Sequence, residues 1–199
     1  MKVTFLPMKC VEELTGHLDL SLAKKISEVK KGYTPFLNGD LLFAKITPCM
    51  ENGKVAIAHS LENAIGFGST EFHVIRLHES FLKNFFFFFL IREDLRRDAQ
   101  RNMTGSAGQL RVPISYMKQI PIPFPPLTEQ RQIAEEIERR FSVADEIEKT
   151  VEACLQQAQR LRQSILKKAF EGKLVPQDPG DEPAEKLLER IKAEKTKLE

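Results

Sequence analysis

The chain has 199 residues, 42% apolar and 29% charged, with a formal net charge of +2. That composition excludes a wholly disordered chain, and the longest apolar run, Phe85 to Ile91, is far short of the roughly 20 residues of a membrane-spanning helix. The small net charge hides two unlike parts: residues 1–125 carry 16 Lys and Arg against 12 Asp and Glu and hold eight of the ten glycines, whereas residues 126–199 carry 14 against 16. No proline occurs between Pro126 and Pro176, and no glycine between Gly108 and Gly172. The three cysteines, Cys10, Cys49 and Cys154, stand far apart with no CxxC and no zinc-type Cys/His pair, which fits a reducing, cytoplasmic compartment.

In chain order, Val3 to Leu6 reads as a short strand stopped by Pro7. Asn38-Gly39-Asp40 signals a turn, and Leu41 to Ile46 follows as a buried strand ending before Pro48. Asn52-Gly53 predicts a type I′ hairpin turn, whose two central positions both take φ > 0, with Val55 to Ala58 as the returning strand. Phe72 to Leu77 reads as a further strand, and Ser80 to Gln100 as helix capped by Ser80. Within that helix the five consecutive phenylalanines, Phe85 to Phe89, read as a buried segment under the sheet. A base-stacking platform would space and expose its rings. Thr104 to Gln109 is a glycine-bearing loop, and Val112-Pro113 with Ile120 to Pro126 is an extended, polyproline-like strap.

Beyond the strap the pattern changes to one helix over about 128–171. Thr128 is placed to cap it, Glu129 faces the positive end of the dipole, Lys167 and Lys168 occupy the last turn, and Gly172 suits a left-handed stop. Its length is ~66 Å at 1.5 Å per residue. A heptad frame puts Gln130, Ile137, Ala144, Val151, Ala158 and Ile165 at a, and Ile133, Arg140, Ile147, Cys154, Leu161 and Lys168 at d. Nine of these twelve are apolar, and Phe141 and Leu155 at e widen the stripe into a coiled-coil seam. A short helix over about 183–198 is long enough to cover only about a third of it. A partner chain is therefore expected on Ile133, Ile137, Phe141, Ala144, Ile147, Val151, Leu155, Ala158, Leu161 and Ile165.

Signatures of common catalysts are missing: there is no P-loop, GxGxxG, GxSxG, HExxH or Asn-Pro-Pro-aromatic methyl-transfer motif. The four histidines, His17, His59, His73 and His78, are scattered. Asp19 with Glu28 and Lys30 loosely matches the acidic-then-ExK layout of Mg²⁺-dependent nucleases, and Asp40 with Glu51 and Lys54 matches it more loosely still. In a chain so rich in charge, solvated loop residues are the simpler reading of both.

Three stretches carry a resemblance. The first runs through Lys31-Gly32-Tyr33-Thr34-Pro35, Gly39-Asp40-Leu41-Leu42-Phe43-Ala44-Lys45-Ile46-Thr47-Pro48 and Gly66-Phe67-Gly68-Ser69-Thr70-Glu71. The second is Met103-Thr104-Gly105-Ser106-Ala107-Gly108-Gln109-Leu110-Arg111-Val112-Pro113, and the third is Pro125-Pro126-Leu127-Thr128-Glu129-Gln130, continuing to Phe170-Glu171-Gly172-Lys173-Leu174-Val175-Pro176-Gln177. In order and spacing they resemble the DNA-specificity (S) subunit of type I restriction–modification systems. The resemblance implies an α+β protein: a β-rich target recognition domain over 1–125 that lacks its usual first segment, then a spacer or dimerisation helix and a short C-terminal helix over 126–199. It implies a non-catalytic subunit that reads a half-site of double-stranded DNA, docks methyltransferase (M) subunits and joins the restriction (R) subunit in the full complex. No cofactor is expected on this chain, because S-adenosylmethionine and ATP belong to the partner subunits. Typical members hold two recognition domains and two spacers in one chain. This chain holds one of each, so it is expected to be either a half-subunit that pairs with a second copy or another S half, or a fragment of a longer gene.

Candidate DNA contacts follow from chemistry and position. Lys45, Lys54 and Arg111 suit phosphate or guanine; Asn52, Gln109, Ser106, Ser69 and Thr70 offer amide or hydroxyl contacts to bases. The competing expectation is a truncated subunit that pairs through its coil without reading DNA.

Overall fold

The computed structural model describes residues 1–77, 83–106, 108–176 and 178–198, in two units, Met1–Arg139 and Arg140–Glu199. His78 and the cap assigned to Ser80 lie outside the described residues. In chain order the first unit holds β1 (Lys2–Leu6), β2 (Ala23–Lys25), α1 (Ile26–Val29), β3 (Thr34–Leu37), β4 (Leu41–Ala44), β5 (Val55–Ile57), β6 (Ile65–Gly68), β7 (Phe72–Ile75), α2 (Lys83–Ile91), α3 (Glu93–Arg101) and α4 (Ile114–Met117). The helix α5 (Leu127–Phe170) begins in this unit and runs into the second, which also holds α6 (Ala184–Leu198). This is the expected α+β architecture.

Two sheets form. In the first, of order β2-β1-β6-β3, β1 pairs antiparallel with β2 and parallel with β6, and β3 pairs antiparallel with β6. In the second, β4 lies between β5 and β7, antiparallel to both. All four residues of β4 are buried, as a central strand covered on both faces requires. The strands β2, β3 and β6 carry no clear sequence signal, for physical reasons. Pro35 confines β3 to an edge, where a missing N–H is harmless. β6 contains Gly66 and Gly68, residues that normally weaken a strand. Here glycine is demanded by packing: a Cβ at Gly66 would overlap the ring of Phe36, itself 1% exposed.

Asn52-Gly53 does not form the expected type I′ hairpin turn. Only Gly53 takes positive φ (75°). Residues 46–52 instead coil into a helical turn, with Met50 N–H donating to the Ile46 carbonyl and Asn52 N–H to that of Pro48. Gly53 N–H then donates to the Met50 carbonyl and Lys54 N–H to that of Cys49, a left-handed stop of the Schellman type. The expected single helix over 80–100 is two. Arg92 takes an extended conformation (ψ 137°) and starts α3, whose first turn carries Glu93 and Asp94. Arg96 donates to the carbonyls of Ile91 and Glu51, tying this break to the 46–53 turn.

Phe85, Phe86, Phe87 and Phe89 are buried in one cluster with Leu41, Phe43 and Val55 of the second sheet, and with Leu95, Ala99 and Val112. Leu127 and Ile133, from the start of α5, rest on the same cluster. The first unit therefore takes in the start of α5 and runs to Arg139. The cap also moves: Gln130 N–H donates to the Pro126 carbonyl, so Thr128 lies inside the first turn of α5. At the far end Gly172 (φ 68°) makes the expected left-handed stop, with Lys173 N–H on the Lys168 carbonyl. None of the three cysteines is in a disulfide. Among the described residues no helix is long and apolar enough to cross a membrane.

Asp40 is 2% exposed and accepts from Leu37 N–H (2.7 Å) and from the Arg76 fork, Nε at 2.8 Å and Nη2 at 2.7 Å. Burial alone would raise its pKa, but these donors outweigh burial and hold the carboxyl below its ordinary range. Replacing Gly66 with Ala should destabilise the protein by about 1–3 kcal/mol through overpacking against Phe36. A lowered urea midpoint measures it; an unchanged midpoint shows that the ring can yield.

Candidate nucleic-acid interface

Past Ala44 the chain stays extended and meets a segment more than sixty residues away. Thr47 N–H donates to the Leu110 carbonyl (3.0 Å) and Val112 N–H to that of Lys45 (2.8 Å), with Ile46 and Arg111 as antiparallel bridge partners. Arg111 is bridged on its other side by Thr104, through Thr104 N–H to the Arg111 carbonyl (2.9 Å) and Arg111 N–H to the Thr104 carbonyl (2.8 Å). Lys45 N–H also donates to the Glu71 carbonyl (2.9 Å), which draws in the turn between β6 and β7. Three chain segments, around residues 45–47, 69–71 and 104–111, thus converge.

The charged groups at this junction are ordered. Arg111 Nε donates to both Glu71 oxygens (2.9 and 3.2 Å), Nη2 donates to Oε1 (2.9 Å), and Nη1 donates to the Gln109 carbonyl (3.0 Å). The side chains are 39% and 23% exposed. Arg111 above all, with Lys45 and His73 adding smaller effects, holds the Glu71 carboxyl below its ordinary range. His73, on β7, lies 2.8 Å through Nε2 from the Val112 carbonyl. Burial lowers its pKa despite that contact.

Six of the eight residues expected to touch DNA gather here: Lys45, Ser69, Thr70, Ser106, Gln109 and Arg111. Ser69 Oγ accepts from Glu71 N–H (3.1 Å), and Gln109 N–H donates to the Ser106 carbonyl (2.9 Å), so three of them also shape their own turns. Thr70, Ser106 and Gln109 are exposed and Lys45 half-buried. Asn52 and Lys54 are engaged elsewhere. Asn52 Nδ2 donates to Glu13 Oε1 (2.8 Å), and Lys54 Nζ to the Met8 carbonyl (3.4 Å), beside a hollow lined in part by Lys9, Cys10, His17 and Asp19. Sequence reasoning missed Glu71 and His73. Glu71 stands next to the Ser69-Thr70 pair, yet a carboxylate is not an obvious DNA contact, and its tie to Arg111 spans forty positions.

Neither nuclease-like set is assembled as one. Asp19 accepts from Ser21 N–H and Glu28 from Lys25 N–H, both local turn or cap bonds. Asp40 is held by Arg76, while Glu51 accepts from Thr47 Oγ1. Among the described residues no group of three or more His, Cys, Asp or Glu is arranged to hold a metal ion.

Along α5 the apolar positions divide. Ile133 and Ile137 are half-buried, Ile133 against the phenylalanine cluster, and Gln130 is fully buried with Nε2 on the Pro125 carbonyl (2.6 Å). In the second unit Phe141, Ala144, Ile147, Val151, Leu155, Ala158, Leu161 and Ile165 are all exposed. On α6, Leu187, Leu188 and Ile191 are exposed as well.

The type I restriction modification DNA specificity domain model matches residues 5–157. The chain belongs to this family. It is 36% identical over 240 aligned residues to the type I restriction enzyme EcoAI specificity subunit of Escherichia coli, covering 99% of this chain and 41% of the relative. The EcoEI specificity subunit of the same species is 37% identical over 240 residues, covering 99% and 40%. The chain thus spans about two fifths of these specificity subunits. An alignment of 240 positions also exceeds the 199 residues of this chain, so each relative has at least 41 residues within the aligned span that have no counterpart here. In fold the chain is similar to the crystal structure of the HsdS subunit from Thermoanaerobacter tengcongensis, with TM-score 0.64 and 19% identity over 92% of this chain and 46% of that one.

His73 sets a pH response. Its folded pKa lies below the ordinary value of 6.5, so on acidification the unfolded chain takes up this proton first, and stability falls from about pH 6.5 downward. The stability tied to the lowered carboxyls of Asp40 and Glu71 is present above their unfolded values and is lost only at more acid pH. His73→Gln should flatten the upper part of a melting-temperature profile and leave the acid part. An unchanged profile would remove His73 from this role.

Proposed function

We propose that this chain is the DNA-reading specificity component of a type I restriction–modification complex, recognising one half-site. The reading is carried by the convergence of Lys45, Ser69, Thr70, Ser106, Gln109 and Arg111 on one junction of a unit that belongs to the DNA specificity domain family. Side chains of these types supply phosphate attraction and base-edge hydrogen bonding. The chain itself is non-catalytic and cytoplasmic. It binds no cofactor, and the methyltransferase and restriction subunits supply the S-adenosylmethionine and ATP chemistry. Selection of bound duplexes from a randomised pool, with the methyltransferase subunit present, tests the reading. A recovered consensus supports it, and retention without sequence preference favours an interaction module that no longer reads DNA. The internal shortening against EcoAI and EcoEI makes that second outcome a specific competitor. Lys45→Ala should weaken binding about equally for all sequences and reduce the slope of log K against log salt by about 0.9; an unchanged slope would remove Lys45 from the phosphate contacts.

The exposed stripe of α5 supplies the pairing surface. From Ala144 through Ile147, Val151, Ala158 and Leu161 to Ile165, the apolar positions alternate at spacings of three and four, or multiples that keep that phase, which suits a second long helix. The occupant is the α5 of a second copy, which places two half-site readers in one assembly with the M and R subunits. Ile147→Lys combined with Leu161→Lys should convert a sedimenting dimer to monomer while leaving the melting of the first unit unchanged. A dimer that survives the double change would overturn the pairing.

A further inference from the structure

A guanidinium has five N–H bonds, and in Arg111 three of its nitrogens are already committed. Glu71 takes the edge formed by Nε and Nη2, and the Gln109 carbonyl takes one N–H of Nη1. One N–H remains on each of Nη1 and Nη2, and among the described residues neither has an acceptor within the chain. With its Nε edge clamped on a carboxylate and its backbone bridged to both Ile46 and Thr104, this guanidinium has a fixed plane. The Arg111 side chain is also 39% exposed, so it is not closed off from a ligand.

We infer that Glu71 is a positioning residue that holds Arg111 as a reader of one guanine in the DNA major groove; the inference rests on the DNA-reading function proposed above. Charge separates this role from a phosphate clamp. The Arg111–Glu71 pair is neutral as a unit, and a phosphate brought to it would meet a carboxylate one residue's breadth away. A base edge needs no net charge, only acceptors placed to match the two donors. Guanine alone presents two major-groove acceptors side by side, N7 and O6, whereas adenine pairs an acceptor with a donor. The phosphate attraction at this junction is left to Lys45, whose ammonium is close enough to act on the Glu71 carboxyl. A positioned arginine also reads more sharply than a free one, because the cost of ordering its side chain is met before DNA arrives.

The test uses the full chain with its methyltransferase subunit and selection from a randomised duplex pool. The wild type should enrich a site with an invariant G·C pair. In Arg111→Lys that pair should lose its preference by roughly 5- to 150-fold, because lysine cannot make the fork, while other positions of the site stay fixed. Glu71→Gln should relax the same pair and no other. It should also raise retention of non-specific duplex and steepen the salt slope, because the arginine charge is no longer neutralised. If either variant weakens all sequences equally, Arg111 holds a phosphate and the inference fails. If Glu71→Gln keeps full preference, or loses every position together with a fall in melting temperature, Glu71 is only a staple between chain segments. If the wild type enriches no sequence, the DNA-reading function itself fails, and this inference with it.

Discussion

A nine-residue helix that carries five consecutive phenylalanines has no polar face to turn to water. Covering it on all sides is the constraint around which the first unit is arranged. The second sheet lies against one side through Leu41, Phe43 and Val55; α3 closes another through Leu95 and Ala99. The strap and the first turns of α5 add Ile120, Leu127 and Ile133. Each fully buried aromatic ring of this kind contributes on the order of 2–3 kcal/mol. Four such rings in one helix make its coverage more decisive than any polar contact in the chain. Val112, in the same cluster, seats the strand-like segment that carries Arg111.

This constraint explains why the globular part claims the start of the long helix. Read as a heptad, Gln130 and Ile133 continue the coiled-coil frame without a break. In the fold both are used locally, Ile133 against the phenylalanines and Gln130 on the Pro125 carbonyl. A heptad frame records spacing but not which neighbour covers the stripe, so it does not show that the first unit holds the helix as far as Arg139. The remainder of the helix was legible because nothing local competes for it, and its glycine stop at Gly172 fell where expected.

Elsewhere the sequence spoke clearly where local chemistry decides and poorly where distant chain segments do. β1, β4, β5 and β7 announce themselves as apolar runs between turn residues. β3 and β6 do not, since Pro35 and the two glycines are tolerated only because of the edge position and the Phe36 ring beside them. Asn52-Gly53 marked a chain reversal correctly and its type wrongly: the same dipeptide that suits a hairpin also ends a helical turn. The candidate site shows the same division. Residue type alone picked out Lys45 and Arg111, and folding brings them together. The role of Glu71 depends on a contact across forty positions, which no local pattern encodes.

The paired backbone at residue 111 has a consequence for how such a protein changes over generations. Arg111 is held on one side by its own main-chain hydrogen bonds with Thr104 and on the other by those of its neighbours Leu110 and Val112 with Thr47 and Lys45, bonds that are indifferent to side-chain identity. Ser106 and Gln109, by contrast, stand exposed on the loop that those bridges close. Holding and displaying are thus assigned to different atoms. Substitutions on the loop can therefore alter what is displayed at little expense in folding, on an unchanged frame.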